Sequence, residues 1–142
     1  MKVDQILAAK GADVYAVRAD DRIKDAVALL TDKNIGAVMV KDGAGKVVGI
    51  LSERDIVRRL NDVGPEALST PVSESMTANP VMCAPDATVD DLMGQMTDRR
   101  IRHMPVTEGG ELVGMVSIGD VVKRKIEAAE QEAQALKEYI ST

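Results

Sequence analysis

The chain has 142 residues, the usual size of one compact domain, and a 45% hydrophobic share that supports a folded core. Its 18 basic and 23 acidic residues leave a formal charge of -5, so its net field repels phosphate backbones and anionic membranes. With no Trp, no Phe and only Tyr15 and Tyr139, it lacks aromatic platforms for stacking bases; its core must be packed from Val, Ile, Leu, Ala and eight Met.

The start, MKVDQILAAK, places Asp4 inside an apolar stretch too short for a signal peptide. A leading strand is expected at Tyr15 to Val17. After Asp20, Ile23, Val27 and Leu30 fall at helical spacing. A strand from Ala37 to Val40, the turn Asp42 to Gly45 and a return strand from Val47 to Leu51 make a hairpin, followed by a helix from Asp55 to about Leu60. Asn61 to Ser75, with Gly64, Pro65 and Pro71, reads as a connection.

The same order then returns. A strand is expected at Val81 to Cys83, and a helix after Asp86 with Val89, Leu92 and Met96 inward. His103 to Val106, the turn Glu108 to Gly110 and Leu112 to Val116 form a second hairpin, and a helix runs from Asp120 to about Ile126. Beyond it, KRKIEAAEQEAQALKEY is rich in strong helix formers, so this helix should extend past the repeat and either pack on a second subunit or project into solvent.

Sliding the sequence along itself explains the recurrence. The stretch from Asp20 aligns with that from Asp86 at an offset of 66, falling to 65 after Ala44, with identities at Asp20/Asp86, Asp25/Asp91, Thr31/Thr97, Asp32/Asp98, Ile35/Ile101, Val40/Val106, Gly49/Gly114, Ser52/Ser117 and Asp55/Asp120. Unrelated sequences would agree at only about one position in fifteen to twenty, so the chain is a duplication. The expected fold is α/β (α+β): two β-α-β-β-α units, each too small for a secure core and therefore packed sheet to sheet, with an extended C-terminal helix.

Each unit closes on Gly-apolar-apolar-Ser-x-x-Asp: Gly49-Ile50-Leu51-Ser52-Glu53-Arg54-Asp55 and Gly114-Met115-Val116-Ser117-Ile118-Gly119-Asp120. A strand here delivers a hydroxyl and a carboxylate to the first turn of a helix. One use is helix capping, worth about 1 kcal/mol. The other is ligand binding, since free N–H groups at a helix start favour a phosphate and a neighbouring carboxylate can accept two ribose hydroxyls. The two are compatible. Each preceding Gly would let backbone or ligand approach closely.

The repeat, the element order, this closing pattern and the segment Arg102-His103-Met104-Pro105-Val106 together resemble paired cystathionine-β-synthase (CBS) domains, over about Lys2 to Ile126, of the stand-alone bacterial type. The resemblance implies a leading helix at 1–7, a first repeat at 8–63, a second at 76–132 and a helical tail at 133–142. It also implies a pseudo-two-fold pair whose clefts bind an adenosyl ligand: AMP, ADP, ATP, NAD or S-adenosylmethionine.

By the same analogy, the favoured cleft combines Met115, Ser117, Asp120, Arg102 and His103 with Asp21, Ala26, Ile35, Gly36 and Ala37. Asp120 would hold ribose, Ser117 with Arg102 or His103 the phosphate, and Ile35 to Ala37 the adenine. The opposite cleft would use Ser52, Arg54 and Asp55 with Ala87, Leu92, Ile101 and the backbone near Arg102 to Met104. There Gly36 and Ala37 replace the basic pair Arg102 and His103, so Arg54 would have to supply the cation, and occupancy of this second possible site is left open.

The function this implies is regulatory: an adenine-nucleotide sensor, not an enzyme, that signals to a regulated protein by ligand-dependent reorientation of its repeats, with a homodimer expected. Neither catalytic residues nor a metal site is expected, because one His and one Cys provide no ligand cluster or nucleophile pair. His103 is as readily a packed residue as a phosphate contact. Asp20-Asp21 and Asp90-Asp91 suit helix starts. Cys83 should pack at a strand end; as the only thiol it forms no internal disulfide, which with the absence of any long apolar run suggests a reducing cytoplasm and no membrane span. The alternative is a nucleic-acid binder acting through Arg54, Arg58, Arg59, Arg99, Arg100 and Arg102, disfavoured by charge and composition.

Overall fold

The computed structural model describes residues 1–141. Its elements are α1 (Val3–Lys10), β1 (Ala16–Arg18), α2 (Ile23–Lys33), β2 (Ala37–Lys41), β3 (Val47–Ser52), α3 (Glu53–Val63), β4 (Thr77–Ala78), α4 (Val89–Arg99), β5 (His103–Glu108), β6 (Glu111–Ser117) and α5 (Ile118–Ser141). Two 3-10 turns, Gly64–Ser69 and Val72–Glu74, occupy the connection. The chain forms two compact units: Val14–Val81, and Met1–Asp13 joined to the chain from Met82 onward. The duplicated α/β units expected from the sequence are therefore present, each with its helix, hairpin and closing helix.

In the first unit the sheet order is β1-β2-β3-β4. β1 runs parallel to β2, with Ala16 opposite Met39, and β2 is antiparallel to β3, with Val38 opposite Leu51. The Ile23, Ala26 and Leu30 face of α2 is buried against Val17, Val38, Val40, Leu51, Ile56 and Val72. That face recurs every three or four residues, so one side of the helix closes the apolar side of the sheet.

The second unit repeats this with less sheet. β5 and β6 pair with Met104 opposite Val116, and a register shift after Val106 matches the one after Val40. The expected strand from Val81 to Cys83 is reduced to a single bridge, Cys83 with Val106. A proline explains the loss. In the first unit Met39 N–H donates to Tyr15 O (2.9 Å); the equivalent of Met39 is Pro105, which has no N–H to offer Val81.

Each repeat also carries a lead-in segment from elsewhere in the chain. Val72 N–H donates to Asp21 O (2.8 Å) and Ile23 N–H to Thr70 O (3.0 Å) in the first unit. Val3 N–H donates to Ala87 O (2.9 Å) and Val89 N–H to Met1 O (2.9 Å) in the second. Val3 and Val72 are both fully buried, so the duplication extends to V-D-Q-I-L and V-S-E-S-M. Accordingly α1, which leads the chain, belongs to the unit of the second repeat.

Candidate functional site

Both Ser-x-x-Asp turns form as reciprocal caps. In the first repeat Asp55 N–H donates to Ser52 Oγ (3.3 Å), while Ser52 N–H (2.9 Å) and Ser52 Oγ (3.1 Å) donate to Asp55 Oδ2. In the second, Asp120 N–H donates to Ser117 Oγ (3.2 Å) and Ser117 N–H to Asp120 Oδ2 (2.9 Å). Serine ends the strand because its hydroxyl satisfies a helix N–H that the helix cannot pair internally.

The two carboxylates differ in their other neighbours. Asp120 Oδ2 also accepts from Lys10 Nζ at 2.7 Å, and the same ammonium donates to Met115 O at 2.9 Å. Burial alone would push the Asp120 carboxyl up, but the Lys10 hydrogen bond, the Ser117 N–H and the Lys10 charge hold it below its ordinary range. Asp55 Oδ1 has the guanidinium of Arg58 at 3.8 Å, and its side chain is only 10% exposed against 24% for Asp120.

Around the second-repeat turn, Arg102 is exposed and its carbonyl accepts Ile118 N–H (2.7 Å), which places it directly against the start of α5. His103, half-buried, begins β5 opposite Ser117, and Met115 is half-buried on β6. The structure thus gathers Arg102, His103, Met115, Ser117 and Asp120 at one end of one hairpin. Ile101 N–H donates to Met96 O (3.1 Å), Ala87 is held by Val3, and Leu92 and Met104 are fully buried. The Met104 side chain is therefore core, and only its backbone is available to a ligand.

In the first unit Gly36 O accepts Glu53 N–H (3.0 Å), Ala37 lies opposite Ser52, and half-buried Ile35 leads into that strand. Ile35, Gly36, Ala37, Ser52, Asp55 and exposed Arg54 thus share one hairpin end. Asp21 turns inward on its own loop, its Oδ2 accepting Arg18 N–H (2.8 Å), and Ala26 is completely buried in the α2 core. Arg58 and Arg59 of the basic cluster face carboxylates, Arg59 Nη2 meeting Glu74 Oε2 at 2.7 Å.

The paired glycines serve internal packing. A Cβ at Gly49 would lie 2.8 Å from Thr77 O and 2.7 Å from Met76 Sδ; one at Gly114 would lie 2.7 Å from Leu7 Cδ2. The approach expected from backbone or ligand is made by backbone and Met76 in the first repeat and by the Leu7 side chain in the second. Cys83 accordingly packs at the end of its bridge; burial pushes its thiol up to about 11, and its Sγ lies 3.7 Å from Pro105 O. Among the described residues, no group of three or more His, Cys, Asp or Glu could hold a metal, and no helix is long and apolar enough to cross a membrane.

Lys10 is the residue that sequence reasoning missed. It lies 110 positions from Asp120, and only the packing of α1 beside β6 brings them together. The one available signal was the similarity of V-D-Q-I-L to V-S-E-S-M, in which Val alone is identical.

The model of the CBS domain matches residues 8–62 and 72–127. A CBS-domain containing protein named as mitochondrial in Arabidopsis thaliana is 41% identical over 125 residues, which span 85% of this chain and 61% of that protein's length. The Bacillus subtilis protein YlbB is 33% identical over 78% of this chain and 74% of its own. Among solved structures, a CBS-domain containing protein from Agrobacterium tumefaciens superposes with a TM-score of 0.85 at 45% identity, covering 87% of this chain and 92% of its own. The CBS domain pair of protein MJ0100, in complex with 5-methylthioadenosine and S-adenosyl-L-methionine, superposes with a TM-score of 0.78 at 25% identity over 91% and 98%. With both repeats matched and their hairpins and capped helices in place, this chain belongs to the CBS-domain family, of which it carries two copies.

Proposed function

We propose that this chain is a non-catalytic regulatory module that binds an adenosyl ligand, of the AMP, ADP, ATP, NAD or S-adenosylmethionine type, and passes the binding event to a partner through a change in the arrangement of its repeats. The observation that carries this reading is the cluster at the start of α5: a carboxylate held ionised, a capping hydroxyl, Arg102 and His103 at one hairpin end. Complexes of the MJ0100 pair with two adenosyl compounds support the ligand class. A buried, unreactive thiol suits a reducing compartment such as the cytoplasm.

In this proposal Asp120 accepts the ribose hydroxyls, Ser117, Arg102 and His103 face the phosphate, and Met115 with Ile35, Gly36, Ala37, Asp21 and Ala26 supplies the adenine environment. Asp55, Ser52, Arg54, Ala87, Ile101 and Met104 form the second, weaker set. Lys10 adds a step that the sequence did not show. Its ammonium occupies the carboxylate oxygen that ribose would use, so a ligand must displace it, and the freed cation can then turn toward a phosphate.

Calorimetry and thermal shift with AMP, ADP, ATP, NAD, NADH, S-adenosylmethionine and adenosine test this on wild type, Asp120→Ala, Asp55→Ala and Lys10→Met. The expected result is a melting-temperature rise with at least one adenosyl compound, abolished by Asp120→Ala. A half-exposed ion pair is worth up to about 1 kcal/mol, so Lys10→Met should tighten adenosine binding by up to about fivefold without a matching gain for AMP. No response from wild type at millimolar ligand removes the sensing role; loss with Asp55→Ala alone moves the ligand to the first-repeat residues.

A further inference from the structure

The C-terminal helix carries a pattern that ligand binding does not use. α5 spans 24 residues, about 36 Å, and of these only Val121 is buried, with Arg124 and Glu127 half-buried beside it. From Ala128 onward the helix is exposed. On its other side, about 160° round from that packed face, run Val122, Ile126, Ala129, Ala133, Leu136 and Ile140, spaced four, three, four, three, four. Val122 is 42% exposed, Ile126 54%, Leu136 59% and Ile140 74%. The exposed aliphatic side chains Val122, Ile126, Leu136 and Ile140 all keep to these two heptad positions, the spacing of a coiled-coil seam.

The composition of the seam and the charges flanking it identify the occupant. Ile126, Ala133 and Ile140 fall at position a, and Val122, Ala129 and Leu136 at position d. Ile at a with Leu at d favours two parallel strands. At the flanking g positions stand Lys125, Glu132 and Tyr139, and at e Lys123, Glu130 and Lys137. In a parallel, in-register pair, each g residue meets the e residue five positions later on the other helix, setting Lys125 against Glu130 and Glu132 against Lys137. An end-to-end antiparallel pair would instead set the central glutamates against each other and Lys123 against Lys137. The intrahelical pairs that do form, Arg124 with Glu127 (2.8 Å) and Gln134 with Glu138 (3.3 Å), lie at b and f, away from the seam. Lys125 meets Asp90 of α4 (2.7 Å) and would have to share or exchange that partner, so the pair Glu132 with Lys137 carries the charge argument.

We propose that this stripe binds the same stripe of a second copy of the chain, so that α5 forms a parallel two-stranded coiled coil. The helix is already nucleated by its attachment at Ser117 to Glu127, which removes the step that makes a short isolated helix marginal. Two small alanines let the backbones approach closely in the middle, while Ile126 below and Leu136 and Ile140 above supply the apolar anchors.

Sedimentation equilibrium of the full chain over micromolar concentrations tests this. Wild type is expected to be dimeric. Leu136→Glu/Ile140→Glu, at positions too exposed to affect folding, should weaken association by about a hundredfold or more, since it replaces two buried anchors with like charges. Glu132→Lys should weaken it several-fold, and Glu132→Lys/Lys137→Glu should restore it. In a Cys83→Ser background, Ile140→Cys should form an intermolecular disulfide on oxidation. A monomeric wild type, a dimer indifferent to Leu136→Glu/Ile140→Glu, or a Glu132→Lys effect that the second substitution does not rescue overturns the proposal.

Discussion

Asp55 and Asp120 occupy equivalent positions and cap equivalent helices, yet one has an arginine of its own helix at 3.8 Å and the other a lysine delivered by α1 at 2.7 Å. The same division runs through the rest of the two repeats. Where the first repeat completes a four-stranded sheet, with β4 against Gly49, the second has a two-stranded hairpin with Leu7 against Gly114. Duplicated units conserve the hairpin and the capped helix because both are set by local sequence. They diverge where a segment from elsewhere in the chain supplies the packing. In the second repeat that segment brings a cation to the carboxylate proposed for ribose, which makes the two ligand sets chemically unequal.

The contrast can be broken at the glycines, where the largest effect is expected. Gly49→Ala should cost about 1–3 kcal/mol, because the new methyl meets the Thr77 carbonyl within a paired strand and backbone must move. Gly114→Ala should cost less, since it meets the end of a leucine side chain, and Leu7→Ala should relieve it. Urea denaturation of the three variants measures the difference; equal costs would show that the two approaches are mechanically alike.

A smaller effect is expected at the C-caps of α2 and α4, where Asn34 (φ 52) and Arg100 (φ 55) both adopt the left-handed conformation. Asparagine tolerates it and arginine does not, so Arg100→Gly should stabilise by about 1 kcal/mol and Asn34→Gly by a few tenths, read as shifts in thermal midpoint.

The smallest effect concerns acid. The Asp120 carboxyl is held below its unfolded value of 3.8, so its contribution to stability is complete above that pH and is lost as the pH falls through its lower folded value. Wild type and Asp120→Asn should therefore differ in stability at neutral pH and converge as the pH falls below the folded value of that carboxyl. Lys10→Met should behave like Asp120→Asn only in the part due to the ion pair, leaving the Ser117 cap in place.

Much of the architecture was legible because it is local. The helical spacing of Ile23, Val27 and Leu30, the Gly-containing turns of both hairpins and the two Ser-x-x-Asp caps each depend on residues a few positions apart, and the internal match doubled the weight of every one. Misreadings came where distant groups decide. Val81 to Cys83 looks like a strand, but the missing N–H belongs to Pro105, more than twenty residues away. Which group approaches each glycine is likewise decided at a distance: Met76 and Thr77 at Gly49, Leu7 at Gly114.

By itself the sequence determined that the chain is a duplication, that each copy is a helix, a hairpin and a serine-capped helix, and that its last helix runs on past the second repeat. These follow from periodicity and short-range hydrogen bonding, which act through neighbours along the chain. Only the tertiary structure decided that α1 joins the second repeat and that Lys10 reaches Asp120. Such contacts depend on how two segments more than a hundred residues apart bury their apolar faces together, and no local pattern in either segment encodes the other's position.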